Sequence, residues 1–203
     1  MTRGKAKRDV VLVDGGGTNI GSVRYALQRL GLDAEMTADA DRISAASHVI
    51  LPGVGAAGPG MKKLREAGLT EVLRGLRQPL LGVCLGMQLL YERSEEGDTE
   101  CLGLLPGAVA HFPAGDGLRI PHMGWNQLRV ESDDPLLADL DDEAYAYFVH
   151  SYAAPVSAAT IASTDYGAPF SAIVRQGNVC GMQFHPERSA AVGARLLQNF
   201  LDL

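Results

Sequence analysis

Short unbroken apolar runs alternate along this chain with segments of helical periodicity. The runs Val10-Val11-Leu12-Val13, His48-Val49-Ile50-Leu51 and Pro79-Leu80-Leu81-Gly82-Val83 are each followed by glycine or a glycine-rich stretch. Apolar runs this short, bounded by turn residues, read as buried strands of the kind parallel sheets use. After the first comes Asp14-Gly15-Gly16-Gly17-Thr18-Asn19, in which Thr18 or Asn19 can cap a helix running to about Leu30 and stopped by Gly31. Residues 60–76 are helical in pattern. From about Leu104 to Phe184 the period shifts to short strands, with turns at Pro106-Gly107, Gly115-Asp116-Gly117 and Gly177-Asn178. That change predicts antiparallel strands added to a sheet that began parallel. A closing helix places Val192, Leu196 and Phe200 four apart on one face, with Leu197 and Leu201 adjacent. The pattern predicts a single α/β domain with a mixed, mainly parallel central sheet between helical layers, and chemistry at the strand ends. The domain is expected over residues 9–203, behind a basic, flexible N-terminal extension at 1–8 that carries Arg3, Lys5, Lys7 and Arg8.

Composition narrows the class. The 203 residues can bury a substantial core, and 46% hydrophobic with 21% charged residues is ordinary for a soluble globular protein. A net charge of −6 without a long basic run argues against nucleic acid as the main partner. The apolar stretch behind the N-terminal basic residues is too short for a signal peptide or a membrane span. Three cysteines, Cys84, Cys101 and Cys180, are too few and too scattered for a disulfide framework, so a reducing cytoplasm is the expected setting. No histidine pair has zinc-ligand spacing, and no metal or organic cofactor is expected. The glycine run after the first strand misses the G-x-G-x-x-G frame of dinucleotide sites, and no acidic residue ends a second strand at the required distance.

Candidate chemistry centres on Cys84. The segment Gly82-Val83-Cys84-Leu85-Gly86 joins a strand to a helical run through a Gly-x-Cys-x-Gly corner, the nucleophile-elbow pattern with sulfur in place of a serine oxygen. Glycines at the corner allow a sharp turn, and the helix that begins at once aims unpaired N–H groups at the sulfur. A buried structural cysteine is the alternative. A thiol nucleophile needs a base, and the base needs an orienting group. Near the other end, the predicted strand Val179-Phe184 runs into His185-Pro186-Glu187. Proline biases His185 toward extended backbone, where residues two apart project to one side, so Glu187 is expected beside the imidazole. Taken alone, His185 could be a turn residue and Glu187 an ordinary helix-start acid. Combined with the elbow, the three form a candidate catalytic set.

Gly82-Val83-Cys84-Leu85-Gly86-Met87-Gln88 together with His185-Pro186-Glu187 resembles the class I, or triad, glutamine amidotransferases, and the likeness runs from about Val10 to Leu203. Four further segments resemble the glutaminase subunits of imidazole glycerol phosphate synthases. They are Leu51-Pro52-Gly53-Val54-Gly55, Pro121-His122-Met123-Gly124-Trp125-Asn126, Tyr147-Phe148-Val149-His150-Ser151-Tyr152 and His185-Pro186-Glu187-Arg188-Ser189. The resemblance implies the class I amidotransferase fold, a single three-layer α/β domain. It implies hydrolysis of L-glutamine to glutamate and ammonia, with Cys84 as nucleophile, His185 as proton shuttle and Glu187 as its orienting acid.

The oxyanion hole is expected from the N–H of Leu85 and, as the resemblance implies, from the Gly53–Val54 peptide, which can rotate at low steric cost beside glycine; a plain surface turn is the alternative for that loop. Gln88 lies one helical turn beyond Cys84 and should face the same way. By resemblance, Glu96 suits an α-ammonium group and the His150-Ser151-Tyr152 backbone an α-carboxylate, although Glu95-Glu96 also reads as a solvated acidic loop. Tyr147 and Phe148 read as core. Asn19, Met123 and Trp125 are expected to face a partner, with Trp125 in the core as the alternative, and His122–Trp125 is read as a loop. Gly15, Thr18 and Ala57 depart from the family pattern. The implied partner is a separate cyclase chain of (β/α)8 type, forming a heterodimer, since no such barrel fits within 203 residues. Two other readings remain: the glutaminase of another pathway, such as vitamin B6 or anthranilate synthesis, and a catalytically silent scaffold.

Overall fold

Each core strand places alternate side chains against different helices, which builds a three-layer molecule around one sheet. A computed structural model describes residues 8–15, 20–112, 118–141 and 143–203. The strands are β1 (Val10–Val13), β2 (Glu35–Thr37), β3 (His48–Gly53), β4 (Leu80–Cys84), β5 (Tyr91–Ser94), β6 (Thr99–Glu100) and β7 (Leu105–His111). They continue as β8 (His122–Gln127), β9 (Arg129–Val130), β10 (Tyr145–His150), β11 (Tyr152–Ala153), β12 (Thr160–Asp165), β13 (Pro169–Gln176) and β14 (Val179–Met182). The helices are α1 (Ile20–Arg29), α2 (Ala40–Ala45), α3 (Ala57–Glu66), α4 (Thr70–Gly75), α5 (Leu85–Gln88) and α6 (Ala190–Leu201).

Among the described residues the main sheet has the order β2-β1-β3-β4-β14-β13-β12-β9. It is parallel from β2 through β14 and antiparallel beyond. Val10 and Leu12 point into one core with Leu27 of α1 and Leu196, Leu197 and Phe200 of α6. Val11 and Val13 point into the other with Ile43 of α2, Met61 and Leu64 of α3 and Leu73 of α4. Val10 to Val13 are all buried, as a strand covered on both faces must be. Two smaller sheets flank the main one, the ribbon β8/β10 and the group β11-β7-β5-β6.

Several expectations need correction. Residues 60–76 form two helices, because Gly68 adopts φ +70 and ends the first at the following turn. The elements β2 and α2 were absent from the sequence reading. The segment His122–Gln127 is a strand rather than a loop. The predicted caps Thr18 and Asn19, the turn at 115–117 and residues 1–7 of the N-terminal extension lie outside the described residues. Arg8 of that extension pairs with Asp202. Among the described residues no helix is long and apolar enough to cross a membrane.

Candidate active site

The corner between β4 and α5 is built by close backbone approach. Cys84 itself takes φ 54 and ψ −113, a sparsely populated conformation for a residue with a side chain. Gly82 and Gly86 do not turn the chain through positive φ, contrary to the sequence reading. They are required because a Cβ on Gly86 would lie 1.8 Å from the Leu51 carbonyl oxygen, and one on Gly82 2.6 Å from that of Gly86. Helix α5 is a single turn, Leu85–Gln88, so the local N–H groups rather than a long dipole face the sulfur.

The strand partners of β4 deliver the other groups. Parallel pairing aligns Gly53 with Cys84 at the end of β3, and β14 on the other side leads through Gln183 and Phe184 to His185. His185 has φ −95 and ψ 97, and Glu187 follows inside the 3-10 turn Pro186–Arg188. The expected proximity holds, but through a turn rather than strand alternation: His185 Nδ1 donates to Glu187 Oε1 at 3.0 Å. That bond leaves Nε2 for the Cys84 side. Burial by itself pulls the His185 pKa down. Interactions with the Cys84 side chain and the Glu187 carboxylate outweigh it and push the imidazole up to about 10. Ser189, fully buried, donates to the His185 carbonyl oxygen at 2.7 Å and accepts from Tyr147 N–H at 2.9 Å, tying this turn to β10.

A cavity of about 290 Å3 gathers Val54, Cys84, Leu85, Gln88, Glu96, His150, Ser151, Tyr152 and His185. Gly53 lies just outside this lining, in a second, more apolar cavity of about 270 Å3 on the other side of the same segment. Val54, Gly55 and Leu85 border both. The second cavity contains neither Cys84 nor His185. Gln88 is buried and donates through Nε2 to the Tyr152 carbonyl oxygen at 2.8 Å and to Gln183 Oε1 at 3.0 Å. Glu96 is not a freely solvated acid: Oε2 accepts from the Ala57 N–H at the start of α3, at 2.7 Å. Gln183 and His122 are buried and back the cavity through their bonds to Gln88 and His150; the sequence reading did not single out Gln183, and it placed His122 in a loop rather than behind the site.

Met123 and Trp125 are 62% and 54% exposed, so the core alternative for Trp125 fails. Both project from one face of β8, and Trp125 lies edge-on to Tyr147 with ring centroids 5.9 Å apart. Phe148 is core as expected, whereas Tyr147 is half-buried beneath the Arg188 guanidinium, 4.9 Å from its ring centroid. Asn19 lies outside the described residues. Cys101 is buried, and burial pushes its thiol up to about 11; burial pushes Cys180 up to about 12.

Residues 11–203 match the family model for glutamine amidotransferase class-I. The chain belongs to the class I glutamine amidotransferase family. It is 61% identical over 195 residues to the imidazole glycerol phosphate synthase subunit HisH of Xanthomonas axonopodis pv. citri (strain 306), covering 96% of this chain and 98% of that one. The subunit of the same name from Xylella fastidiosa (strain Temecula1 / ATCC 700964) is 55% identical with the same coverage. Among solved structures, a glutamine amidotransferase superposes with TM-score 0.73 at 24% identity, covering 95% of this chain and 97% of that one. PurLQS from Thermotoga maritima gives 0.72 at 20% identity, covering 97% and 99%. At those identities the two structures speak for the fold alone.

Proposed function

We propose that the chain is the HisH-type glutaminase subunit of an imidazole glycerol phosphate synthase, supplying ammonia for histidine biosynthesis, with Cys84, His185 and Glu187 as its triad. The carrying observation is the strained Cys84 elbow opening into one cavity with His185, whose other ring nitrogen is held by Glu187. An imidazolium beside the sulfur is the partner a thiolate requires. The thiolate attacks the δ-carbonyl carbon of glutamine, and the carbonyl electrons move onto oxygen. The Leu85 N–H and the Gly53–Val54 peptide receive that oxyanion. As the C–N bond breaks, His185 gives its proton to the departing ammonia, leaving a glutamyl thioester on Cys84. Neutral His185 then takes a proton from water, hydroxide adds to the thioester, and glutamate leaves as the thiolate is restored.

Glu96 and the 150–152 backbone bind the amino-acid end of the substrate, and Gln88 supplies a further polar contact to it. The partner is a cyclase chain of (β/α)8 type in a heterodimer, docked on the face carrying Met123 and Trp125, and Asn19 is a further candidate partner contact. The enzyme acts in the cytoplasm, residues 9–203 forming the amidotransferase domain and 1–8 a basic extension. In the assembled complex, Cys84→Ala should abolish glutamine-dependent synthesis while leaving synthesis from added ammonium salt intact. Persisting glutaminase activity in Cys84→Ala would exclude Cys84 as the nucleophile.

A further inference from the structure

Behind the cavity runs a chain of buried polar groups whose proton positions follow from chemistry alone. A carbonyl oxygen can only accept, so the ring nitrogen of His150 lying 2.8 Å from the Tyr152 carbonyl, Nδ1, carries the hydrogen. In a neutral imidazole the other nitrogen, Nε2, then accepts. His122 Nδ1, 3.2 Å away, must therefore be the donor. His122 Nε2 is left as an acceptor, and Asn126 Nδ2 stands 3.4 Å from it. The Asn126 amide cannot be reversed, because Nδ2 also donates to the Asp165 carbonyl at 2.8 Å while Oδ1 accepts from Gln127 N–H at 2.9 Å. The two ends of the chain demand the same tautomers.

The chain continues past Tyr152. The Gln88 atom lying 2.8 Å from the Tyr152 carbonyl must be the amide nitrogen, and its second hydrogen goes to Gln183 Oε1 at 3.0 Å. Gln183 is fully buried, and its Nε2 has no partner among the described residues. Leaving that group unpaired is costly, and the orientation is kept because Oε1 is the one amide atom of Gln183 able to accept from Gln88. Both hydrogens of Gln88 are thus committed, and Oε1 is the polar atom it has left for the cavity. The imidazoles are held in an aromatic enclosure: the His122 ring stacks on Tyr166 at 4.0 Å, and Phe112, Phe148 and Phe170 surround the pair. Burial keeps both neutral, with His122 pushed down to about 4 and His150 to about 3.

We infer that His150, held in turn by His122, is a positioning residue that fixes the Tyr152 carbonyl, and that this carbonyl, with Gln183 Oε1 taking the second hydrogen, holds the Gln88 amide nitrogen inward so that Oε1 is offered to the substrate as an acceptor. The inference rests on reading the cavity as the glutamine site. A substrate donor, the ammonium or the carboxamide NH2, is recognised there. Breaking this ladder, by freeing the Tyr152 carbonyl or removing the Gln183 acceptor, loosens the Gln88 amide, so that Oε1 is no longer held toward the substrate.

The test is steady-state glutaminase kinetics on the full chain with its cyclase partner. His150→Ala and Gln183→Met should raise KM for L-glutamine about 5- to 10-fold, the range for one hydrogen bond, with kcat changed much less. His150→Asn, whose Nδ2 replaces the Nδ1 donor, should recover most of the loss, a rescue that mere cavity filling would not produce. The rate of Cys84 alkylation by iodoacetamide, which needs no amino-acid subsite, should remain that of the unsubstituted chain. If Gln183→Met leaves KM unchanged, or if His150→Asn is as impaired as His150→Ala with kcat falling in step, the ladder is overturned. Either result leaves the glutaminase reading standing, because Cys84→Ala judges that separately. Carboxamide and ammonium recognition separate in competition: loss of inhibition by L-glutamate alongside the KM rise assigns Oε1 to the ammonium, while unaltered inhibition assigns it to the carboxamide.

Discussion

Three thiols in one chain offer a direct comparison of environment at the residue scale. All three are buried, but Cys84 lines the cavity, while Cys101 and Cys180 do not and are held up by burial at about 11 and about 12. A diazoketone analogue of glutamine should therefore add its mass to Cys84 alone, and peptide mapping showing equal labelling of all three would remove the case for a special thiol. Glu187 acts through His185, so Glu187→Gln should retain more glutaminase turnover than His185→Ala or Cys84→Ala in the same assay. The neutral imidazole pair has a consequence for stability. Unfolded histidine titrates near 6.5, and the folded pair titrates lower, so the unfolded chain holds more protons between about pH 4 and about 6.5. Stability is thus lost as pH falls through that window, by at most about 1.4 kcal/mol per pH unit for each histidine. Comparing urea midpoints at about pH 7 and about pH 5, the double variant His122→Asn/His150→Asn should show a smaller drop than the unsubstituted chain. An equal drop would mean that the pair does not carry it. The residues legible in sequence were those whose local pattern carries their chemistry, Cys84 and His185-Pro186-Glu187. The burial of Cys101 was not legible there, because burial depends on what packs over a residue from elsewhere.

At the scale of elements, glycines decide how closely backbone can pass backbone. A methyl on Gly86 would strike the Leu51 carbonyl at 1.8 Å, and neither strand β3 nor α5 can retreat without moving Gly53 or Cys84. Gly86→Ala should cost about 3 kcal/mol or more of unfolding free energy, at the upper end of overpacking effects, and should abolish turnover; a denaturant titration showing no loss would contradict the packing. Gly193 of α6 lies against Pro186, where a Cβ would sit 1.9 Å from the carbonyl oxygen. The sequence reading found the parallel strands and α6 because buried runs and a four-residue apolar spacing are local signals. It missed β2 because Glu35-Met36-Thr37 is a short, exposed edge strand with no apolar run to announce it. It merged α3 with α4 because helical periodicity persists through Gly68, whose conformation periodicity does not reveal.

For the whole molecule, the placement of the oxyanion loop bears on how fast the chain can hydrolyse glutamine by itself. The Gly53–Val54 peptide stands between two cavities and pairs directly beside Cys84, so a rotation there changes which group faces the substrate. The isolated chain should hydrolyse glutamine slowly, and the cyclase with its nucleotide ligand should raise kcat about 10²- to 10⁴-fold, the worth of one or two oxyanion donors. Ammonia release by the isolated chain already equal to that of the complex would end the idea of a gated hole. Trp125, more than half exposed on the outer face of β8, has the character of an interface anchor. Trp125→Ala should weaken cyclase binding about 30-fold or more by calorimetry without unfolding the chain.

The amino-acid sequence alone determined the strand-helix alternation, the switch from parallel to antiparallel additions and the identity of the three candidate catalytic residues. Each of these is written in contiguous residues or in a fixed period. Only the tertiary structure decided that Glu187 reaches His185 through a 3-10 turn, that Trp125 lies outside while Cys101 lies inside, and that His150, backed by His122, and Gln88, backed by Gln183, meet at the Tyr152 carbonyl. Those outcomes depend on groups far apart in the chain. Their burial and proton positions are fixed by the atoms that fold against them, which no local spacing encodes.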